Sequence, residues 1–186
     1  SCGKQNCFIF IADRSGVYRF DYNQDTLVTS NKKTILSLNS DGRHFTKTLL
    51  VKEDKLYISV GSSCDTCVEN DPRRGSVLVT DFEGNDIRIF SYGIRNSVFM
   101  KLNPETKEIW ATEMGRDFLG DNLPPDEINI LKAEQFYGWP YCYGKAIQDT
   151  KFSTSSDCSD SVESHYDLQA HSAPLGLEFL DKNTLL

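Results

Sequence analysis

Apolar and polar residues alternate in short bursts along this chain, and charged or glycine-containing turns separate the bursts. Residues 7–12 and 16–21 read as two strands around an Asp-Arg-Ser-Gly turn, and residues 56–60 and 76–81 repeat that layout. Alternation predicts further strands at 34–38, 48–51, 87–92, 97–102, 108–112 and 128–132, and the stretch 174–180 resembles 97–102. No segment shows the helical period, so the chain reads as all-β.

The bursts also form a repeat. A loop at Gly42-Arg43-His44 feeds two short strands joined by a charged turn and ends at Gly61. The same order returns at Gly93, passes a polar turn near Pro104 and reaches a loop opening at Met114-Gly115. Leu56 and Ile109 become equivalent positions, about 53 residues apart. A repeat of this length, built of short strands, predicts propeller blades, because one blade cannot bury both its faces alone. A small sandwich is the alternative. The strand at 7–12 corresponds to the second strand of a repeat, and Leu185 and Leu186 fall where another second strand should begin. The expectation is therefore one partial propeller domain over residues 1–186, of about three blades and truncated at both ends.

Composition narrows the function classes. The chain has 186 residues, 39% hydrophobic and 25% charged, enough for one sizeable core. A net charge of −7 argues against nucleic acid as a partner. No apolar run is long enough to span a membrane, and the first residues lack the order of a secretion signal. Six cysteines, at 2, 7, 64, 67, 142 and 158, favour disulfides and an oxidising compartment. Local pairing would join Cys2 to Cys7, Cys64 to Cys67 and Cys142 to Cys158. Cys64-Asp65-Thr66-Cys67 could instead be half a zinc site or a redox dithiol, although no second ligand pair or βαβ context accompanies it.

Candidate chemistry sits in loops. The segment 113–140 carries Asp117, Asp121, Asp126 and Glu127 among glycines and prolines, a supply of hard oxygen ligands for calcium or simply a solvated acidic loop. Of the three histidines, His44 and His171 lie in loops entering strands, and His165 looks like surface. His44 is the candidate base. No nucleophile elbow, phosphate loop, zincin motif or dinucleotide fingerprint occurs.

Taken in order, Gly42-Arg43-His44-Phe45-Thr46-Lys47-Thr48-Leu49, Gly93-Ile94-Arg95-Asn96, Asp126-Glu127-Ile128-Asn129, Tyr137-Gly138-Trp139-Pro140 and His171-Ser172-Ala173-Pro174 resemble the soluble glucose/sorbosone dehydrogenase family. Gly-Ser-Ser-Cys-x-x-Cys and Trp-Pro-Tyr-Cys-Tyr-Gly point to its sorbosone-dehydrogenase-like branch. The resemblance implies a six-bladed propeller, secreted or periplasmic, that oxidises an aldose with pyrroloquinoline quinone (PQQ) and calcium and passes electrons to an acceptor. It implies that His44 is the base, with an imidazole near its ordinary pKa, and that Arg95 and Asn96 face the cofactor. Gly115 and Arg116 would hold the cofactor's calcium through main-chain carbonyls, and Glu127 with the Tyr137 carbonyl a second calcium. His171 would lie on a cofactor-pocket loop. Arg43 stands where glucose-oxidising relatives have an aspartate, so the sugar is not implied. The family's basic clamp for the PQQ carboxylates and a first-blade glutamine lie outside this stretch, which implies no appreciable turnover by these residues alone. Two other readings compete: a non-catalytic propeller that binds a protein, and a calcium-dependent lactonase, which would want carboxylates from several blades.

Overall fold

The computed structural model describes residues 7–154 and 158–180. Strands β1 (Cys7–Ala12), β2 (Gly16–Asn23) and β3 (Val28–Ser37) form one antiparallel sheet in that order. Strands β4 (Leu49–Lys52), β5 (Lys55–Val60), β6 (Ser76–Asp81) and β7 (Arg88–Tyr92) form a four-stranded meander, and β8 (Phe99–Leu102), β9 (Ile109–Glu113) and β10 (Asp126–Leu131) begin another. Short strands β11 (Gln135–Phe136), β12 (Cys142–Tyr143) and β13 (Ile147–Gln148) follow, and β14 (Tyr166–Leu168) completes the third sheet beside β10. β11 adds to the outer edge of β7 in parallel. The chain is all-β, with about three blades of a β-propeller.

Burial shows why these are blades. In the middle sheet, Leu56, Ile58, Val60 and Leu78 pack with Val17, Ile35 and Leu36 of the first. Val77 points the other way, with Tyr57, toward Met100, Ile109 and Ala111 of the third. Successive side chains leave opposite faces of a strand, and here both faces meet a neighbouring sheet. Leu56 and Ile109, equivalent by the repeat, are 0% and 2% exposed, each in the second strand of its meander.

Several boundaries differ from the pattern. β3 starts six residues early, because its polar run from Thr29 to Lys33 lies along an exposed edge where no apolar face is required. β10 begins at Asp126, so Asp126 and Glu127 are buried strand residues rather than members of an acidic loop. Residues 174–180 form no strand, because they make no ladder among the described residues; Leu175 and Leu180 are exposed. Phe179 instead sets its ring edge against Trp110, and Glu178 pairs with Lys101. The turn and strand expected at 181–186 lie outside the described residues. Disulfides join Cys64 to Cys67 and Cys142 to Cys158 as local pairing predicts. Cys2 of the expected Cys2–Cys7 bridge lies outside the described residues.

Candidate active site

Four loops at one end of the middle and third sheets are stitched together by their backbones. The N–H groups of Arg43 and His44 donate to the carbonyls of Ser63 and Ser62, at 2.8 and 3.1 Å. Ser62 N donates to Arg95 O, and Met114 N donates to Asn96 O. Thus the loop before β4, the loop after β5, the β7–β8 loop and the loop after β9 share one frame, with His44, Arg95, Asn96 and Gly115 on it. Gly61 sets the approach: a Cβ there would lie 2.6 Å from His44 Cβ and 3.1 Å from Asn96 Oδ1. We expect Gly61→Ala to push the His44 loop outward and lower any His44-dependent rate without removing the fold, a contrast measurable by kinetics beside thermal unfolding.

The hydrogen bonds around His44 assign its tautomer. Nδ1 lies 2.8 Å from Ser62 Oγ, and that hydroxyl donates its single proton to the Cys64 carbonyl at 2.7 Å. Ser62 must then accept from His44, so Nδ1 carries the hydrogen and Nε2 keeps its lone pair. Burial, and then the nearby charges of Arg95 and Arg43, lower the His44 pKa from 6.5 to about 4, while Asp65 and Asp117 oppose them. This corrects the expectation of an ordinary imidazole pKa. The ring is neutral at physiological pH and available as a base.

Arg95 is 4% exposed, and each of its three guanidinium nitrogens donates one hydrogen bond. Its Nε donates to the Asp65 carbonyl at 2.9 Å, one terminal nitrogen to Asp65 Oδ1 at 2.6 Å and the other to Met114 O at 3.2 Å. Burial works against Asp65 ionisation, but the Asp117 N–H and the Arg95 guanidinium hold its carboxyl below the usual range. Asn96 Nδ2 reaches only the weakly accepting Met114 thioether at 3.5 Å, and its buried Oδ1 has no partner. An arginine and an amide with unspent hydrogen-bonding capacity beside a neutral imidazole suit a planar acceptor-rich cofactor.

Below this frame, a cavity of about 20 Å³ is lined by Gly115, Glu113, Glu127, Tyr137 and Cys142, among others. That is room for about one water or ion. Glu113 and Glu127 are directly opposite each other on β9 and β10, and both are buried. Burial raises the Glu127 pKa to about 7 and pushes Glu113 well above the carboxylate range. Glu127 accepts from Gly144 N and Asn129 Nδ2, and Glu113 Oε1 accepts from Asn96 N, but Glu113 Oε2 has no partner among the described residues. Two facing carboxylates with an orphaned oxygen fit a divalent cation.

Of the other expected residues, Arg116 and Tyr137 line the same cavity and His171 lies outside it. The Arg116 side chain is spent on Asp149, in a two-pronged pair at 2.5 and 3.1 Å. Tyr137 spends its hydroxyl on Ile130 O, at 2.7 Å, leaving only its main chain for a ligand. His171 is exposed and donates through Nε2 to the Gly120 carbonyl at 2.9 Å. It reaches the Gly115 end of the site only through Asp126, which accepts from Gly115 N and Ala173 N. The sequence does not mark Ser62, Asp65 or Glu113 as site residues, and it marks Asp117 only as one acid of a candidate calcium loop. The first two sit in a loop noticed only for its cysteines; Glu113, an acid closing the apolar strand Ile-Trp-Ala-Thr-Glu, carried a readable signal.

The glucose/sorbosone dehydrogenase family model matches residues 11–185. An uncharacterised protein of Borreliella burgdorferi is 34% identical over 135 residues, covering 71% of this chain and 35% of that protein. Aldose sugar dehydrogenase YliI of Escherichia coli is 40% identical over 57 residues, 31% of this chain and 14% of its own length. Among solved structures, a Trichoderma reesei enzyme of carbohydrate-active family AA12 superposes with a TM-score of 0.79 at 20% identity, over 92% of this chain and 56% of its own. The PQQ-bound aldose sugar dehydrogenase of Streptomyces coelicolor gives 0.66 at 20% identity, over 90% of this chain and 50% of its own. The chain spans about a third of the Borreliella relative and about half of these two solved chains. With a family match across nearly its whole length, on a propeller frame that gathers the motif residues, this chain belongs to the glucose/sorbosone dehydrogenase family.

Proposed function

We propose that these residues supply the base and part of the cofactor pocket of a PQQ- and calcium-dependent aldose dehydrogenase, acting on a sugar and an electron acceptor outside the cytoplasm. The observation that carries the reading is the His44–Ser62–Cys64 hydrogen-bond chain beside Arg95 and Asn96. His44 Nε2 takes the proton of the sugar's anomeric hydroxyl, and Nδ1 stays bonded to Ser62. A bound PQQ would supply the two-electron acceptor. Arg95 offers a fixed, desolvated cation for charge developing nearby, and Asn96 orients the cofactor through its amide. The Gly115 and Arg116 carbonyls would hold the calcium at the cofactor, with His171 on the loop bordering that end. The two disulfides support an exported enzyme.

The test is aldose-dependent dye reduction by the full-length gene product loaded with PQQ and calcium. Sugar-dependent reduction supports the reading. A folded protein that binds no PQQ would overturn it in favour of a non-catalytic binding propeller.

The second calcium would sit at Glu127, the Tyr137 carbonyl and the orphaned Glu113 oxygen. Calcium at a hundredfold excess over its Kd stabilises a protein by about 2.7 kcal/mol. Glu127→Gln should abolish most of that gain in thermal unfolding. The sign with pH follows from Glu127, whose folded pKa of about 7 exceeds the ordinary glutamate value of 4.5. In the apo protein its protonated form stabilises below about 4.5, and that contribution is lost as pH rises through about 7. The calcium gain should therefore be larger at pH 8 than at pH 5; equal gains would sink the assignment.

A further inference from the structure

The four residues from Cys64 to Cys67 lie against nearly every group that the proposed chemistry uses. The Cys64 carbonyl ends the His44–Ser62 chain. The Asp65 carbonyl accepts from Arg95 Nε at 2.9 Å and from Trp139 Nε1 at 3.3 Å. The Asp65 carboxylate accepts from Arg95 at 2.6 Å and from Asp117 N at 3.0 Å, and lies 3.7 Å from Arg43. The Thr66 carbonyl accepts from Lys151 Nζ at 2.7 Å, and Glu69 anchors the entry of the loop through Ser63 N and Oγ.

A short polar loop has little apolar packing to hold its carbonyls in place, yet these carbonyls aim two side chains to within hydrogen-bond distance. The Cys64–Cys67 disulfide supplies the constraint that packing does not. It removes alternative loop conformations, so the Cys64 carbonyl meets Ser62, and through it His44, and the Asp65 carbonyl meets Arg95, without further ordering cost.

We propose that the disulfide-closed Cys64–Cys67 loop is the positioning device of the site, with Asp65 the positioning residue for Arg95 and the Cys64 carbonyl, through Ser62, the group that fixes the His44 tautomer. The loop touches neither sugar nor cofactor. It acts by holding the base and the cation in one relative geometry. The inference rests on the reading of His44 as base and Arg95 as cofactor-facing, and its test is chosen so that the two can fail separately.

The experiment uses the full-length gene product and three variants: Cys64→Ser with Cys67→Ser, Asp65→Ala, and Asp65→Asn. The first readout needs no activity: nitrogen-15 NMR of labelled histidine reports which ring nitrogen of His44 carries the proton. The parent should show protonated Nδ1 alone, and the double serine variant a mixture of tautomers. The second readout is dye reduction. In the double serine and Asp65→Ala variants kcat should fall by about 10²-fold, the cost of misplacing a reacting group by about an ångström. Asp65→Asn should recover part of this, because its amide oxygen still accepts from Arg95 and Asp117 N. The charges around His44 are Arg43, Arg95, Asp65 and Asp117. Removing the Asp65 charge disfavours the imidazolium, so the acid limb of the Asp65→Asn profile should move to lower pH; loss of fold alone would not move it. A folded double serine variant with a single His44 tautomer and kcat within about twofold of the parent overturns the proposal. If that variant does not fold, an unchanged kcat in Asp65→Ala overturns it instead. A parent without sugar-dependent turnover defeats the reading of the function, and the NMR comparison still decides the role of the loop.

Discussion

Replacing His44 with alanine should lower sugar-dependent dye reduction by about 10²- to 10⁴-fold, the usual contribution of a positioned general base. Ser62 fixes one nitrogen as donor and leaves the other with its lone pair, and no other histidine of the chain lies in the frame shared by Arg95 and Asn96. PQQ binding and calcium-dependent stability should survive the substitution, because His44 lies outside the Glu113–Glu127 cavity. The pH profile adds a second constraint. Burial and two arginines depress the His44 pKa to about 4, so kcat/KM should rise with pH through about 4 and already be near its plateau at pH 5.5. A limb near the ordinary value of 6.5 would mean that the imidazole is not desolvated as described. Arg43→Asp replaces a charge that lowers this pKa with one that raises it, and should carry the limb upward.

The second large effect is on stability. Arg116 and Asp149 form a buried pair, with side chains 11% and 3% exposed. Asp149→Ala leaves a guanidinium out of water without its carboxylate, and removing one member of such a pair costs about 3–5 kcal/mol. Asp149 also caps the short helical turn Thr150–Phe152 by accepting from Lys151 N, which adds to the loss. Urea unfolding of the variant beside the double replacement Arg116→Met with Asp149→Leu separates the causes. The double variant should recover most of the stability, since an apolar pair of similar volume carries no desolvation cost. If Asp149→Ala costs less than about 1 kcal/mol, the pair behaves as an exposed one and the burial argument is wrong. The tether also bears on function, because it holds the residue whose carbonyl is proposed to bind the cofactor's calcium.

Particular residues show how far sequence reading reached into the site. Arg95 and Asn96 are marked only by the family resemblance that Gly93-Ile94-Arg95-Asn96 carries, and they are buried where apolar residues would be expected. His171 is marked by the same resemblance, through His171-Ser172-Ala173-Pro174, yet it is exposed and bonded to a neighbouring loop. A motif names a residue but does not say which way its chain segment turns. Ser62 and Asp65 had no signal as site residues at all, because their role depends on carbonyls and on loops about 20 to 50 residues away. The orphaned oxygen of Glu113 arises from a cross-strand register, and no local pattern encodes register.

From sequence alone came the all-β class, the repeat that makes Leu56 and Ile109 equivalent, two of the disulfides and the family resemblance. Each depends on a local period, a spacing or a motif, and these survive in one dimension. Tertiary structure alone decided that Asp126 and Glu127 are buried strand residues, that residues 174–180 make no ladder among the described residues, and that the imidazole pKa falls to about 4. Burial, hydrogen-bond partners and the sum of nearby charges depend on distance in space, and here those distances are set by loops from different blades meeting at one end of the sheets.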